Sequence, residues 1–221
     1  MIAFSQVSSA VNSSIGSTTN TTSPSITALT NGIALVWIES SGADPTTVVW
    51  GATNQMDKIN TFLTGTARGT NISLWGRLVG TTSTGTVAIT ATFASAVTSN
   101  MLYGTYSGVS QSTAITSLQN STNGTTGAGT SNNELTTAIT PSLANSWLVA
   151  FSIDLAAGRT PKAGTTARFT GNFKLFDSNA VVSGSSTLGF DLTTFALYGN
   201  NAVVLPPFIA SNTNSSFFSF M

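Results

Sequence analysis

The chain has 221 residues, only 6% of them charged, and its seven basic and seven acidic side chains cancel. Soluble domains usually carry roughly 25% charged residues, so this chain has no basic patch to neutralise phosphates, which argues against nucleic acid as a partner. It contains neither cysteine nor histidine. We therefore expect no disulfide, no metal site, no cofactor and no enzymatic activity, because the usual zinc ligands and the commonest general base are missing.

Apolar and polar residues alternate with period two along most of the chain, a pattern that predicts β-strands. The strands are expected, in chain order, at about 2–8, 32–39, 46–51, 70–79, 86–93, 101–107, 134–140, 146–155, 166–176, 187–198 and 201–205. Segment 53–63 could hold only a turn or two of helix. Strands separated by Gly/Ser/Thr/Asn turns predict an all-β fold, an antiparallel two-sheet β-sandwich.

The alternation also predicts which side chains form the core, with one face of each strand buried and the other in water. Asp154 and Asp191 fall on the outward faces. The expected core residues are Trp37, Leu74, Val87, Ile89, Phe93, Trp147, Val149, Phe151, Phe190 and Leu192.

The chain shows neither a Pro/Gly linker between halves nor an internal repeat of fixed period. The Asn/Gly/Thr-rich stretch at 120–133 is interpreted as a long loop inside one domain. We predict a single β-sandwich domain over residues 1–205, followed by an extended C-terminal arm over residues 206–221.

Carboxylates are the only conventional catalytic groups in the chain. A glycosidase pair would need two of them at roughly 5 to 10 Å, and nothing in the sequence brings two together. Surface or turn-capping roles are favoured instead for Asp57, Glu134 and Asp177, which fall near predicted turns. Asp44 precedes Pro45, a pair that initiates turns, and a calcium site there is the alternative.

The aromatic residues raise the question of carbohydrate binding. Trp37, Trp50, Trp75 and Trp147 lie in apolar strand contexts, where core packing is expected. Tyr103 and Tyr106 fall on opposite faces of one strand, so at least one of them is expected to be exposed. Packing in a core or a subunit interface is favoured over a sugar-stacking platform.

The amino-terminal sequence predicts no export signal. The first basic residue is Lys58, so the segment "MIAFSQVSSAVNSS" lacks the positive region of a signal peptide. The longest apolar run, residues 33–38, is too short for a membrane-spanning helix. The sequence therefore predicts a protein made in a cytoplasm and not associated with a membrane.

A resemblance to a known family begins at "LYGTYSGVSQSTAI", residues 102–115, where a strand ends in Tyr-Ser-Gly-Val before a polar turn. Segments 48–53, 72–95, 145–154 and 184–199 fit the same pattern in order. Over about residues 25–205 the chain resembles the jelly-roll, lectin-like β-sandwich domain of tailed-phage structural proteins. The resemblance implies a jelly-roll type of sandwich and supplies no catalytic residues.

The resemblance and the missing export signal predict a self-assembling structural protein of a virus particle. A capsid decoration, fibre or tail-associated protein of a tailed phage is the expected kind, located in the virion after synthesis in the host cytoplasm. Its partners would be copies of itself, as a trimer or a larger ring or array, and other virion proteins. The alternatives are a module that binds a cell-surface glycan and a subunit of an extracellular filament.

The last stretch of the sequence, "LPPFIASNTNSSFFSFM", is unusually apolar. Pro206 and Pro207 end the preceding strand, and an Asn/Ser spacer then leads to the apolar residues. One interpretation is an edge strand that folds back on its own domain. The favoured interpretation is an arm that docks on a neighbouring subunit. The predicted docking residues are Phe208, Phe217, Phe218, Phe220 and Met221.

Overall fold

The computed structural model describes residues 1–7, 12–63, 71–124, 132–154, 159–171, 173–196 and 198–210. Within them the only helix is one 3-10 turn, Ile115–Ser117. The strands are β1 (Ala3–Val7), β2 (Asn12–Thr22), β3 (Ser25–Ile26), β4 (Leu29–Ser40), β5 (Thr47–Trp50), β6 (Asn54–Gln55), β7 (Asp57–Leu63), β8 (Asn71–Thr82), β9 (Gly85–Thr86), β10 (Ile89–Ser107), β11 (Asn120–Gly124), β12 (Asn132–Ile139), β13 (Trp147–Asp154), β14 (Arg159–Pro161), β15 (Thr166–Phe169), β16 (Phe173–Asp177), β17 (Ser186–Ala196) and β18 (Tyr198–Leu205).

The largest sheet has eight strands, with the main order β6-β5-β10-β4-β8-β7 and with β1 and β2 also paired to β10. Strand β10 is 19 residues long. Strand β5 pairs with its residues 89–92 and β2 with residues 89–101, while β4 pairs with residues 99–106 and β1 with residues 104–107. The register with β2 shifts between Thr92 and Ser99, an irregularity of the kind that bends a strand. The large sheet can therefore curl.

Two smaller antiparallel sheets follow in the second half of the chain. The five-stranded sheet has the order β11-β18-β13-β16-β15, and the three-stranded sheet has the order β12-β17-β14. Strands β3 and β9 form a separate two-stranded pair. All of the strand pairs are antiparallel, which confirms the predicted all-β antiparallel sandwich. The jelly-roll type and the division at residue 205 stay predictions.

The buried residues form three apolar clusters, separated by the sheets. The central cluster lies between the large and the five-stranded sheets and includes Trp37, Leu74 and Phe151. A second covers the other face of the large sheet, around Val36. The third lies between the five-stranded and three-stranded sheets, around Phe190. The three-stranded sheet thus adds a layer to the sandwich.

The predicted core residues are found in these clusters. Nine of them are at most 6% exposed, and Val87 is half-buried against the second cluster. The prediction of one wet face per strand is confirmed for β17, where Asp191 is exposed beside buried Phe190 and Leu192. It is wrong for β13, because Leu148 and Ala150 on its second face are buried in the third cluster.

Several element boundaries differ from the prediction. Residues 89–93 and 101–107 belong to one continuous strand, β10, and Thr86 belongs to β9. Segment 166–176 is a hairpin of β15 and β16 that turns near Gly171. Segment 53–63 forms β6 and β7 instead of a helical turn. The predicted loop 120–133 begins and ends in strands, and residues 125–131 lie outside the described residues.

Candidate functional site

Exposed apolar side chains converge at one end of the sandwich. Six large hydrophobic residues are exposed among the described residues, and Ile15 on β2 is the only one of them away from this end. The other five are Met1, Leu143, Val181, Phe208 and Ile209. They surround a surface groove of about 590 Å³, called the apolar groove below. Single exposed hydrophobic residues are ordinary, but a cluster of this kind marks a contact site.

Residues 206–209 form one wall of the apolar groove. After β18 ends at Leu205, the Ser110 N–H donates to the Pro206 carbonyl at 2.9 Å. The Phe208 N–H then donates to the Gly108 carbonyl at 2.8 Å. These bonds hold the wall against the turn after β10, while the Phe208 side chain stays 41% exposed. Phe208, the predicted docking residue that the structure describes, therefore lies on this surface.

Two loops form the opposite wall. The Val182 N–H donates to the Ser146 carbonyl at 2.8 Å, and the Ser146 hydroxyl donates to the Leu143 carbonyl at 2.9 Å. These bonds tie the loop before β13 to the loop before β17, although neither loop belongs to a sheet. Leu143 and Val181 remain 52% and 54% exposed. The wall is therefore held by backbone contacts and leaves apolar side chains in water.

The first residues of the chain complete the groove. Ile2 is buried in the central cluster, and Met1 reaches the groove beside it. Gly108 has a φ of +73°, and a side chain there would collide with the Met1 carbonyl. A glycine at this turn lets the two segments approach.

The apolar groove contains no charged side chain among its lining residues. A second depression of about 530 Å³ on the other side of Pro207–Ile209 is more polar, with Ser110, Gln111 and Thr113 in its lining. Apolar, uncharged segments are therefore better suited to the groove than charged or sugar ligands.

Of the five predicted docking residues, the structure describes only Phe208. Phe217, Phe218, Phe220 and Met221 lie outside the described residues. The sequence reasoning missed Met1, Leu143, Val181 and Ile209. Each is an apolar residue in a turn-rich or terminal segment, without the period-two pattern that identifies strands.

Asp177 has the turn-capping role favoured for it, but it is buried instead of lying at the surface. It is buried, and it accepts hydrogen bonds from Arg168 Nε at 2.8 Å and from the Tyr106 hydroxyl at 3.0 Å. The Asn179 N–H donates to it as well, so it also caps a turn. Burial, followed by the charge and hydrogen bond of Asp177, holds the pKa of Tyr106 well above its usual value, against a smaller opposing effect of Arg168. The group is a fully partnered structural network.

Two further acids whose side chains the structure describes, Asp44 and Asp191, are each paired with a lysine. Asp44 Oδ2 accepts from Lys58 Nζ at 3.2 Å and from the Thr61 hydroxyl at 2.8 Å. Asp191 is exposed and pairs with Lys162 at 2.7 Å. The described residues contain no cluster of three potential metal ligands. The side chains of Glu134 and Asp154 lie outside the described part of the structure.

All four tryptophans are buried, as expected for core residues. The expectation that Tyr103 or Tyr106 is exposed is wrong, because β10 is covered on both faces: Tyr103 belongs to the second cluster and Tyr106 to the central one. Tyr198 is buried as well. Since the chain has four tryptophans and three tyrosines, none of these rings is available to stack on a sugar from the surface.

The chain is therefore an all-β sandwich with an exposed apolar groove at one end. Comparison with protein families, with curated proteins and with solved structures finds no match, so the proposed phage jelly-roll resemblance has no further support from relatives. No helix in the described residues is long and apolar enough to cross a membrane.

Proposed function

We propose that the chain is a non-enzymatic structural subunit that assembles with copies of itself. The apolar groove is the observation that carries this proposal. Burying a large hydrophobic side chain stabilises a complex by roughly 1.5–3 kcal/mol, so five such side chains at one place provide a strong drive for association.

The predicted docking arm supports the same function. Phe208 lines the groove, and the chain continues from there toward Phe217, Phe218, Phe220 and Met221. We propose that these residues dock on a neighbouring subunit.

The particle in which the subunit assembles is proposed from the sequence. The resemblance of residues 102–115 to tailed-phage domains favours a virus particle. We propose a capsid decoration, fibre or tail-associated protein with a jelly-roll type of sandwich. A glycan-binding module has less support, because every tryptophan and tyrosine is buried.

Sedimentation velocity of the full chain, from low to high micromolar concentration, tests the assembly. We expect a concentration-dependent shift to a defined oligomer. A chain that remains monomeric at the highest concentration would refute self-assembly. Mass spectrometry of purified particles from the source tests the location, and absence of the chain from them would remove the virion proposal while leaving self-assembly intact.

A further inference from the structure

We infer that the apolar groove is the receptor for residues 217–221 of a second copy of this chain. The inference rests on the proposed self-assembly and names the partner of that surface.

The last described residues lie at the groove, within reach of a neighbouring subunit. Ile209 lines the groove, and Ala210 is the last described residue. Six residues, SNTNSS, separate Ala210 from Phe217. At about 3.3 Å per extended residue this spacer can span roughly 20 Å, which is enough to cross from one subunit to a neighbour in contact with it.

The apolar groove and the FFSFM segment have matching side-chain chemistry. The side chains that line the groove are uncharged and mostly apolar, and the side chains of FFSFM are uncharged as well, with Ser219 as the single polar one. A charged side chain would lose its hydration without gaining a charged side-chain partner among these lining residues.

The order of side chains in FFSFM favours a second copy over residues 217–221 of the same chain as the occupant. In an extended segment successive side chains point to opposite sides, so Phe217 and Met221 would share one side, and Phe218 and Phe220 the other. A groove open to solvent can cover one side only. Both sides are buried when the segment lies between two subunits, each of which supplies apolar surface. A reciprocal exchange of this kind between two copies gives a closed, two-fold interface.

Engineered cysteines test the inference directly, because the chain has none of its own. A Val181→Cys chain is mixed with a Phe218→Cys chain of different isotopic mass and oxidised, and the linked peptides are identified by mass spectrometry. We expect the 181–218 disulfide between the two isotopic forms, since the bond requires Cβ atoms about 3.5–4.5 Å apart. The matched control is Ile15→Cys, which is exposed but lies on β2. It should give several-fold less product with Phe218→Cys.

Two results would overturn the inference while leaving self-assembly standing. One is an oligomer in which the 181–218 product does not exceed the 15–218 control. The other is a Val181→Cys/Phe218→Cys chain that closes its disulfide within one molecule. If the chain does not self-assemble at all, the result is distinguishable, because the unmodified chain would sediment as a monomer at high micromolar concentration.

A groove variant provides a second readout. Leu143→Asp places a carboxylate at an exposed position, so folding should be unaffected, but docking would require that charge to lose its water. We expect the dissociation constant of the oligomer to rise about tenfold or more, with an unchanged melting temperature. Ile15→Asp is the control and should leave association unchanged. Equal association of the two variants would contradict the assignment of the groove.

Discussion

Trp37 and Asn201 join the two main sheets through a hydrogen bond inside the core. The indole Nε1 of Trp37 on β4 donates to Oδ1 of Asn201 on β18 at 3.0 Å. Asn201 Nδ2 in turn donates to Oδ1 of Asn60 on β7 at 2.8 Å. The Asn201 side chain thus gives the buried indole N–H of Trp37 an acceptor, and it also bonds to β7 at the edge of the large sheet.

Replacing Asn201 with Leu should destabilise the chain by about 1–3 kcal/mol, because the buried Trp37 N–H loses its acceptor. Chemical denaturation of Asn201→Leu, Trp37→Phe and the double variant measures the coupling of the pair. The double variant should lose less stability than the sum of the two single losses, since removing both partners leaves no orphaned donor. Simple additivity would show that the bond contributes nothing.

Phe151→Ala should cost roughly 3–5 kcal/mol of the free energy of unfolding, because its ring is fully buried between the two main sheets. Thermal and urea unfolding measure the loss. Ile15→Ala, at an exposed position, should have the melting temperature of the unmodified chain. A Phe151→Ala chain with that same melting temperature would show that the central cluster is wrongly assigned.

Arg168→Met should destabilise the chain by about 3 kcal/mol, because Asp177 is buried and would lose its charged partner. The Tyr106 hydroxyl and the Asn179 N–H would remain as partners of the carboxylate, which places the loss at the lower end of the usual range. Urea denaturation at neutral pH measures it. Lys162→Met is the control, since its partner Asp191 is exposed, and it should cost far less.

Stability should fall as the pH rises above about 10. The pKa of Tyr106 is raised in the folded chain by burial and by Asp177, so the native state keeps a proton that the unfolded state loses near pH 10. Burial raises the pKa of Tyr103 in the same direction. Stability is fully present below that pH. Tyr106→Phe should make the fall shallower, as measured by denaturation from about pH 8 to pH 11, and an unchanged slope would argue against a role for Tyr106.

Replacing Phe217, Phe218 and Phe220 together with Ser should weaken self-association and leave the melting temperature of the dilute chain unchanged. The reason is that these rings are proposed to be buried only between subunits. Sedimentation velocity and thermal unfolding of the same samples separate the two effects. If the variant keeps its oligomeric state and instead melts several degrees lower, the rings pack on their own domain.

Part of the fold follows from local pattern. The alternation in β17 predicted both exposed Asp191 and buried Phe190, because a strand on one side of a layered fold has one wet face. Of the predicted docking residues, only Phe208 could be placed on a surface, and the period-two pattern offered no means of finding Leu143 or Val181, which lie in loops.

Alternation and turn residues act between near neighbours, and they were enough to predict antiparallel strands with an apolar core. Which strands are covered on both faces depends instead on long-range packing. The alternation places Ala150 on the second, outward face of β13, but it is buried in the third cluster. Tyr103 on β10 is buried in the second cluster, although Tyr106 on the opposite face is buried as well. The same is true of the groove, whose walls come from positions as distant as Met1, Leu143 and Ile209. Their proximity results from long-range packing, which no local pattern encodes.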